Sequence, residues 1–237
     1  MKKGTLYLIP VPLGDSPLSY TLPLAISNIV QSLKFFVVEN EKTARRHLRY
    51  IYPQIDQPSL KIEILNQHTP ETLIIAFIKP CLNGNDMGLL SEAGCPAVAD
   101  PGSQLVRLCH ENDIRVQPLI GPSSILLTLM ASGLGGQNFA FNGYLPHEKS
   151  NRKKILKTLE RESLQKKQTQ LFMETPYRNE KLFQELLDQL SLDTFLTLGI
   201  EVSLDTEEIK TKTVAEWLAN PAPKLHKRPC IFGILKV

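Results

Sequence analysis

The residues able to do chemistry gather where short apolar runs give way to small, turn-forming residues. The fullest instance is Leu89-Leu90-Ser91-Glu92-Ala93-Gly94-Cys95-Pro96-Ala97-Val98-Ala99-Asp100-Pro101-Gly102. Ser91 to Pro96 is small, polar and turn-rich, so its backbone can approach a ligand closely. Asp100-Pro101 reads as a helix start, with Asp as N-cap and Pro at the first helical position, where its missing N–H is no loss. A loop that leaves the carboxyl end of a buried strand and feeds a helix N-terminus is where open α/β sheets bind ligands. Two other stretches repeat the arrangement. Phe35 to Val38 runs into Glu39-Asn40-Glu41, and Gly121-Pro122-Ser123-Ser124 opens a helix over Ile125 to Ser132. Glu39 is either a site residue or part of a helix cap or solvated turn. Ser123 and Ser124 either cap their helix or face a ligand, and one role does not exclude the other.

Holding such loops in place requires a sheet. Apolar runs at Leu6–Ile9, Phe35–Val38, Ile62–Leu65, Met87–Leu90 and Val116–Ile120 predict five strands. Between them, helical spacing predicts helices over 22–33, 42–50 and 71–82, the last bent or ended near Pro80, and a fourth after Asp100 that buries Leu105, Val106, Leu108 and Cys109. Alternating strands and helices imply a mostly parallel sheet. After the flexible Gly133-Leu134-Gly135-Gly136 break the rhythm changes. Strands at 139–144, 170–174, 195–202, 208–213 and 230–237, with helices at 148–160 and from Arg178 to Leu190, imply a mixed second sheet. The expected domains are 1–120 and 121–237.

The 237 residues suffice for a sizeable core, and 42% hydrophobic with 22% charged residues suits a soluble globular protein. A net charge of +3 is too small to imply nucleic acid. No apolar run could span a bilayer, and Met1-Lys2-Lys3-Gly4 leads straight into a strand, so neither a membrane helix nor a signal peptide is expected. Cys81, Cys95, Cys109 and Cys230 lack metal-ligand spacing and are expected to be free thiols in a cytoplasmic protein.

Gly4-Thr5-Leu6-Tyr7-Leu8-Ile9-Pro10-Val11-Pro12-Leu13-Gly14 resembles the opening strand and loop of the tetrapyrrole-methylase superfamily, and within it the ribosomal RNA small-subunit methyltransferase I branch. The match continues at Val38-Glu39-Asn40, Ser91 to Pro96, Ala99 to Gly102, Gly121 to Ser124, Phe141 to Pro146, Glu174-Thr175-Pro176-Tyr177-Arg178 and Thr213 to Glu216. The segments fall in order across nearly the whole chain; each is weak alone.

The resemblance implies a two-domain α/β fold, with S-adenosylmethionine (SAM) in a cleft between the domains, and a homodimer acting on ribosomal RNA or the small ribosomal subunit. It places SAM against Pro12, Leu13 and Gly14, the loop Ser91, Glu92, Ala93, Gly94, Cys95, Val98, Ala99 and Asp100, then Gly121, Ser123, Ser124, Phe172 and Met173. The methionine carboxylate needs backbone N–H groups, the sulfonium needs oxygen rather than a cation nearby, and the adenine needs an apolar slot, for which Leu13, Val98, Phe172 and Met173 are candidates beside their plain alternative as core. Methyl transfer from SAM needs alignment and no metal. If the acceptor is a ribose hydroxyl, something must take its proton; Glu39 and Glu92 are the carboxylates to test, with Arg178 as substrate contact.

Several positions depart from the family. Asn40 and Glu92 stand where relatives carry Asp. Ile200-Glu201-Val202-Ser203-Leu204 replaces an Arg-Glu-Leu/Ile-Thr-Lys segment, removing two cations, and the sequence ends without the C-terminal extension of many relatives. Lost cations weaken the case for RNA in particular, while the helix carrying Lys149, Arg152, Lys153, Lys154 and Lys157 either holds phosphates or is a solvated face. The alternatives are a methyltransferase acting on a tetrapyrrole or another small molecule, and a non-catalytic SAM- or RNA-binding module.

Overall fold

A computed structural model describes residues 2–237. The chain forms two compact units, Met1–Ser123 and Ser124–Val237. The first unit holds β1 (Thr5–Leu8), α1 (Leu18–Thr21), α2 (Ala25–Ser32), β2 (Phe35–Val38), α3 (Glu41–Ile51), a 3-10 turn at Gln57–Ser59, β3 (Lys61–Ile64), α4 (Glu71–Phe77), α5 (Lys79–Leu82), β4 (Met87–Leu90), α6 (Ser103–Glu111) and β5 (Arg115–Pro118). Its five strands lie in the order β3-β2-β4-β1-β5. Every pairing is parallel, with Leu6 opposite Met87 and Val116, and Val38 opposite Ile64 and Leu90. Helices cover both faces, so the sheet carries one apolar cluster on each. Ile9, Val30, Phe36 and Leu48 belong to one cluster, and Leu6, Val37, Ile74, Leu89 and Leu105 to the other. Burial on both faces is why β4 reads as an unbroken apolar run rather than an alternation.

The second unit holds α7 (Ser124–Ser132), β6 (Phe139–Tyr144), α8 (Lys149–Lys166), β7 (Thr169–Met173), α9 (Asn179–Gln189), β8 (Phe195–Ile200), β9 (Glu208–Thr213), α10 (Val214–Leu218) and β10 (Cys230–Leu235). Its sheet runs β6-β7-β10-β8-β9. Only β6 and β7 pair in parallel; the other neighbours are antiparallel, so the sheet is mixed. The larger apolar cluster includes Leu156, Phe172, Phe183, Leu186, Trp217 and Phe232. A smaller one sets Ile125 and Leu129 of α7 against Leu171 and Ile231.

Local chemistry explains where the elements depart from the sequence reading. The expected 22–33 helix begins only at Ala25, as α2, because Pro23 supplies no N–H and crowds the preceding turn; α1, over Leu18–Thr21, is a separate turn before it. The 71–82 helix breaks before Pro80, as expected. The helix after Asp100 begins later than expected: its N-cap is Gly102 at φ +136°, and Asp100 does not cap it. The delay follows from the loop, where Ala97 and Ala99 take left-handed φ of 65° and 64°. α8 runs on to Lys166, ending at a left-handed Lys167. A helix the sequence reading lacks, α10, starts at a capping box in which the Thr213 hydroxyl accepts from the Glu216 N–H and the Glu216 carboxylate accepts from the Thr213 N–H. Among the described residues no helix is long and apolar enough to cross a membrane.

Candidate active site

In the first unit the chain leaving β1 turns towards β2, and the chain leaving β4 turns the opposite way towards β5, although β1 and β4 are neighbours. Such a reversal opens a crevice at the carboxyl ends of the two strands. The loops there are tied together. Val11 and Gly94 exchange N–H···O bonds of 3.0 Å in each direction, forming an antiparallel bridge between the loop after β1 and the loop after β4. The Cys95 thiol reaches the Pro122 carbonyl at 3.4 Å, joining the loop after β5.

Two glycines permit the close approach. Gly94 has φ +71°, and a Cβ there would lie 3.2 Å from Leu13 Cδ2 and 3.5 Å from the Pro122 oxygen. A Cβ on Gly121 would lie 2.2 Å from Pro10 Cβ. Pro12 is buried, Leu13 half-buried and Gly14 exposed. Ser91 is buried and its hydroxyl donates to the Ala93 carbonyl at 3.2 Å. Ala93 and Ala99 are exposed, and Val98 is half exposed at the rim.

The crevice edge is acidic. Burial lifts the Glu39 carboxyl above its usual range, and the charges of Asp100 and Glu92 add to the effect. Asp100 is also raised, first by burial; the Ser91 hydroxyl opposes this and the Glu92 charge adds to it. Glu92 is held by the Thr43 hydroxyl, which donates to Oε1. One helical turn on, the His47 ring bonds to the Glu92 backbone; burial and the Arg46 charge lower its pKa, and Glu92 opposes them. Thr43 and His47 are four apart on α3 and therefore share a face. Neither is among the residues singled out above; their four-residue spacing on the helix predicted over 42–50 was the available signal. Asn40 caps α3, its Oδ1 accepting from the Thr43 N–H at 3.2 Å. The cap therefore belongs to Asn40, which leaves the Glu39 carboxylate out of the helix start.

Ser124, Phe172, Met173 and Arg178 lie in the second unit. Ser124 is the first residue of α7 and is half-buried. Phe172 must be corrected as an adenine wall: it is 0% exposed and stacks on Phe232 at 6.0 Å, so it is core. Strand alternation turns its neighbour Met173 to the other face, against the α7 cluster, where it stays partly exposed at the strand end. Arg178 donates to Glu174 Oε1 at 2.8 Å and to the Thr175 hydroxyl at 3.2 Å, and its Nη1 meets His147 Nδ1. Arg152 is not a solvated phosphate grip. It is 4% exposed, forks onto both Glu185 oxygens at 2.5 and 2.8 Å, and donates to the Pro146 and His147 carbonyls.

The chain is 30% identical to ribosomal RNA small subunit methyltransferase I of Vibrio cholerae over 217 residues, covering 90% of this chain and 71% of the relative. The chain belongs to the ribosomal RNA small subunit methyltransferase I family. No family model matches it. Its fold is that of solved tetrapyrrole methyltransferases. The methyltransferase CobJ superposes with a TM-score of 0.64 at 12% identity, covering 99% of this chain and 95% of CobJ. Uroporphyrin-III C-methyltransferase from Thermus thermophilus, solved in complex with S-adenyl homocysteine, superposes at 0.55 with 14% identity and 98% coverage of both chains. Within this methyltransferase family, Glu201 is engaged structurally: it pairs at 2.7 Å with Arg228, which also reaches Glu208 at 2.6 Å and the Thr206 carbonyl. Ile200 is buried in the core of the second unit.

Proposed function

We infer that this protein is a SAM-dependent methyltransferase that modifies small-subunit ribosomal RNA at a ribose 2′-hydroxyl, working as a cytoplasmic homodimer. The observation that carries the reading is the knot of loops at the β1/β4 reversal, tied by the Val11–Gly94 bridge in a chain of this methyltransferase family. The residues suit SAM. Gly94 lets the loops after β1 and β4 close on each other, and Glu39, Glu92 and Asp100 make an acid-rich edge suited to a positive sulfonium and ribose hydroxyls. When bound, SAM supplies a methyl group already activated by its positive sulfur.

In this reading, the Leu13 and Val98 side chains and the Ser91–Cys95 backbone hold the cofactor, with Pro12, Gly14, Ala99, Asp100, Gly121 and Ser123 shaping the loops. Roles for Ser124 and Met173 rest on the family resemblance. Glu39 takes the proton of the acceptor hydroxyl, because a carboxylate raised by burial is a stronger base than a solvated one. Thr43 fixes Glu92 beside it, and Arg178 engages the substrate. A small-molecule acceptor is the second reading, favoured by Ile200 and Leu204 where the family carries cations. Titration calorimetry tests the cofactor site: SAM binds the wild-type protein saturably, and Ser124→Trp abolishes binding while the protein stays folded. Unchanged affinity in the variant would refute that placement.

A further inference from the structure

The second unit carries a surface that the methyl-transfer residues leave unused. Tyr177, in the turn between β7 and α9, is 72% exposed. His226 meets its ring edge-on, with centroids 6.4 Å apart, and Lys227 Nζ lies 5.9 Å from the ring centroid. The Lys227 N–H donates to the Pro176 carbonyl at 3.1 Å, which fixes the two loops against each other. Beside Tyr177, Arg178 reaches His147, which stands two residues before α8. From there α8 presents Lys149, Lys153, Lys157 and Arg161, all exposed, at successive four-residue steps of about 6 Å. Among the described residues, none of these four cations forms a salt bridge.

This series burdens the free protein. Like charges four apart disfavour a helix. Cations are also disfavoured at a helix N-terminus, where Glu148 at the N-cap is the one acid and the first turn of α8 holds none. A polyanion laid along the helix relieves both penalties. An exposed ring flanked by cations and leading into a basic strip is the combination that single-stranded nucleic acid uses, with bases stacked on aromatics and phosphates on Lys and Arg. A duplex, or an acidic protein surface, would use the cations and leave the ring idle.

We propose that this surface is a track for single-stranded RNA, in which a base stacks on Tyr177 and the adjoining phosphates follow Lys149, Lys153, Lys157 and Arg161. The proposal rests on the RNA-methyltransferase reading and gives its substrate a path on the protein. Fluorescence anisotropy with a short single-stranded oligoribonucleotide and its duplex tests it, over a salt series, on the full chain. Tyr177→Ala weakens single-strand binding about 5- to 150-fold and leaves the salt slope unchanged. The quadruple Lys149→Gln, Lys153→Gln, Lys157→Gln, Arg161→Gln variant lowers the slope of log K against log salt by about 2.8, at about 0.7 per phosphate. SAM affinity stays at the wild-type value in both, which separates lost contacts from misfolding. If the wild-type protein binds the oligonucleotide and both variants match it, the track is wrong and the RNA reading survives. Preference for duplex with Tyr177→Ala silent also overturns the track. If the wild-type protein binds no RNA and methylates a tetrapyrrole, the functional reading fails and the track falls with it.

Discussion

Substituting Gly121→Ala tests how rigidly the loops at the β1/β4 reversal are joined. The added Cβ would sit 2.2 Å from Pro10 Cβ and 2.3 Å from Pro10 Cγ, and ordinary contact begins at 3.4 Å, so one loop must shift by at least 1.2 Å. Pro10 has a closed ring and cannot rotate away, so the shift falls on backbone. Overpacking of this kind costs about 1–3 kcal/mol. The displaced segment is bonded onward, through Val11 to Gly94 and through Pro122 to Cys95, so the distortion reaches the proposed cofactor loop. Gly133→Ala is the matched control. Gly133 sits at φ +70° with nothing within 4 Å of a Cβ, so the variant bears only left-handed strain of about 1–2 kcal/mol in a segment outside the loops. Urea unfolding followed by SAM titration gives the comparison. Both variants lose stability, and Gly121→Ala alone loses SAM affinity, by tenfold or more. A Gly121→Ala protein with wild-type stability and wild-type SAM affinity would refute the reasoning.

Substitutions at two further positions, Asn40 and Glu39, probe the start of α3 and the acidic edge beside it. Asn40→Ala removes the α3 cap and lowers stability by about 1 kcal/mol in urea unfolding, whereas Asn40→Asp, an equally good cap, keeps it. Glu39→Gln changes the dependence of stability on pH. Because burial, Asp100 and Glu92 raise the Glu39 pKa in the folded protein, its protonated form is favoured by folding, and that stabilisation is lost as pH rises through the folded value. Thermal unfolding then finds Glu39→Gln more stable than wild type at neutral pH, with the gap closing below about pH 4, where an unfolded glutamate is protonated too. Its methyl-transfer rate falls at neutral pH; an unaffected rate would remove Glu39 from the chemistry.

The parallel sheet was legible because doubly buried strands such as Met87–Leu90 leave unbroken apolar runs between helical stretches. The mixed second sheet was legible from strands that follow one another closely towards the C-terminus. Helix starts were harder. Asp100-Pro101 carries the composition of a helix start, but the left-handed turns at Ala97 and Ala99 delay α6 to Ser103, a tertiary constraint that local composition does not report. The capping box before α10 was written in Thr213 and Glu216 and could have been read. Phe172 shows the limit of composition at a site: its type suits an adenine slot, and only strand register reveals that it faces Phe232 while Met173 faces the other way. Arg152 and Glu185 make the same point for charge, since a basic helix hides one arginine in the core and displays its lysines.

The most direct measurement is mass spectrometry of small-subunit ribosomal RNA from cells with and without this gene, followed by treatment of the unmodified subunits with purified protein and SAM. The account predicts one ribose-methylated nucleotide that vanishes with the gene and returns in the reconstituted reaction. Identical RNA from both cells, with methyl transfer only to a porphyrin-like acceptor, would contradict it.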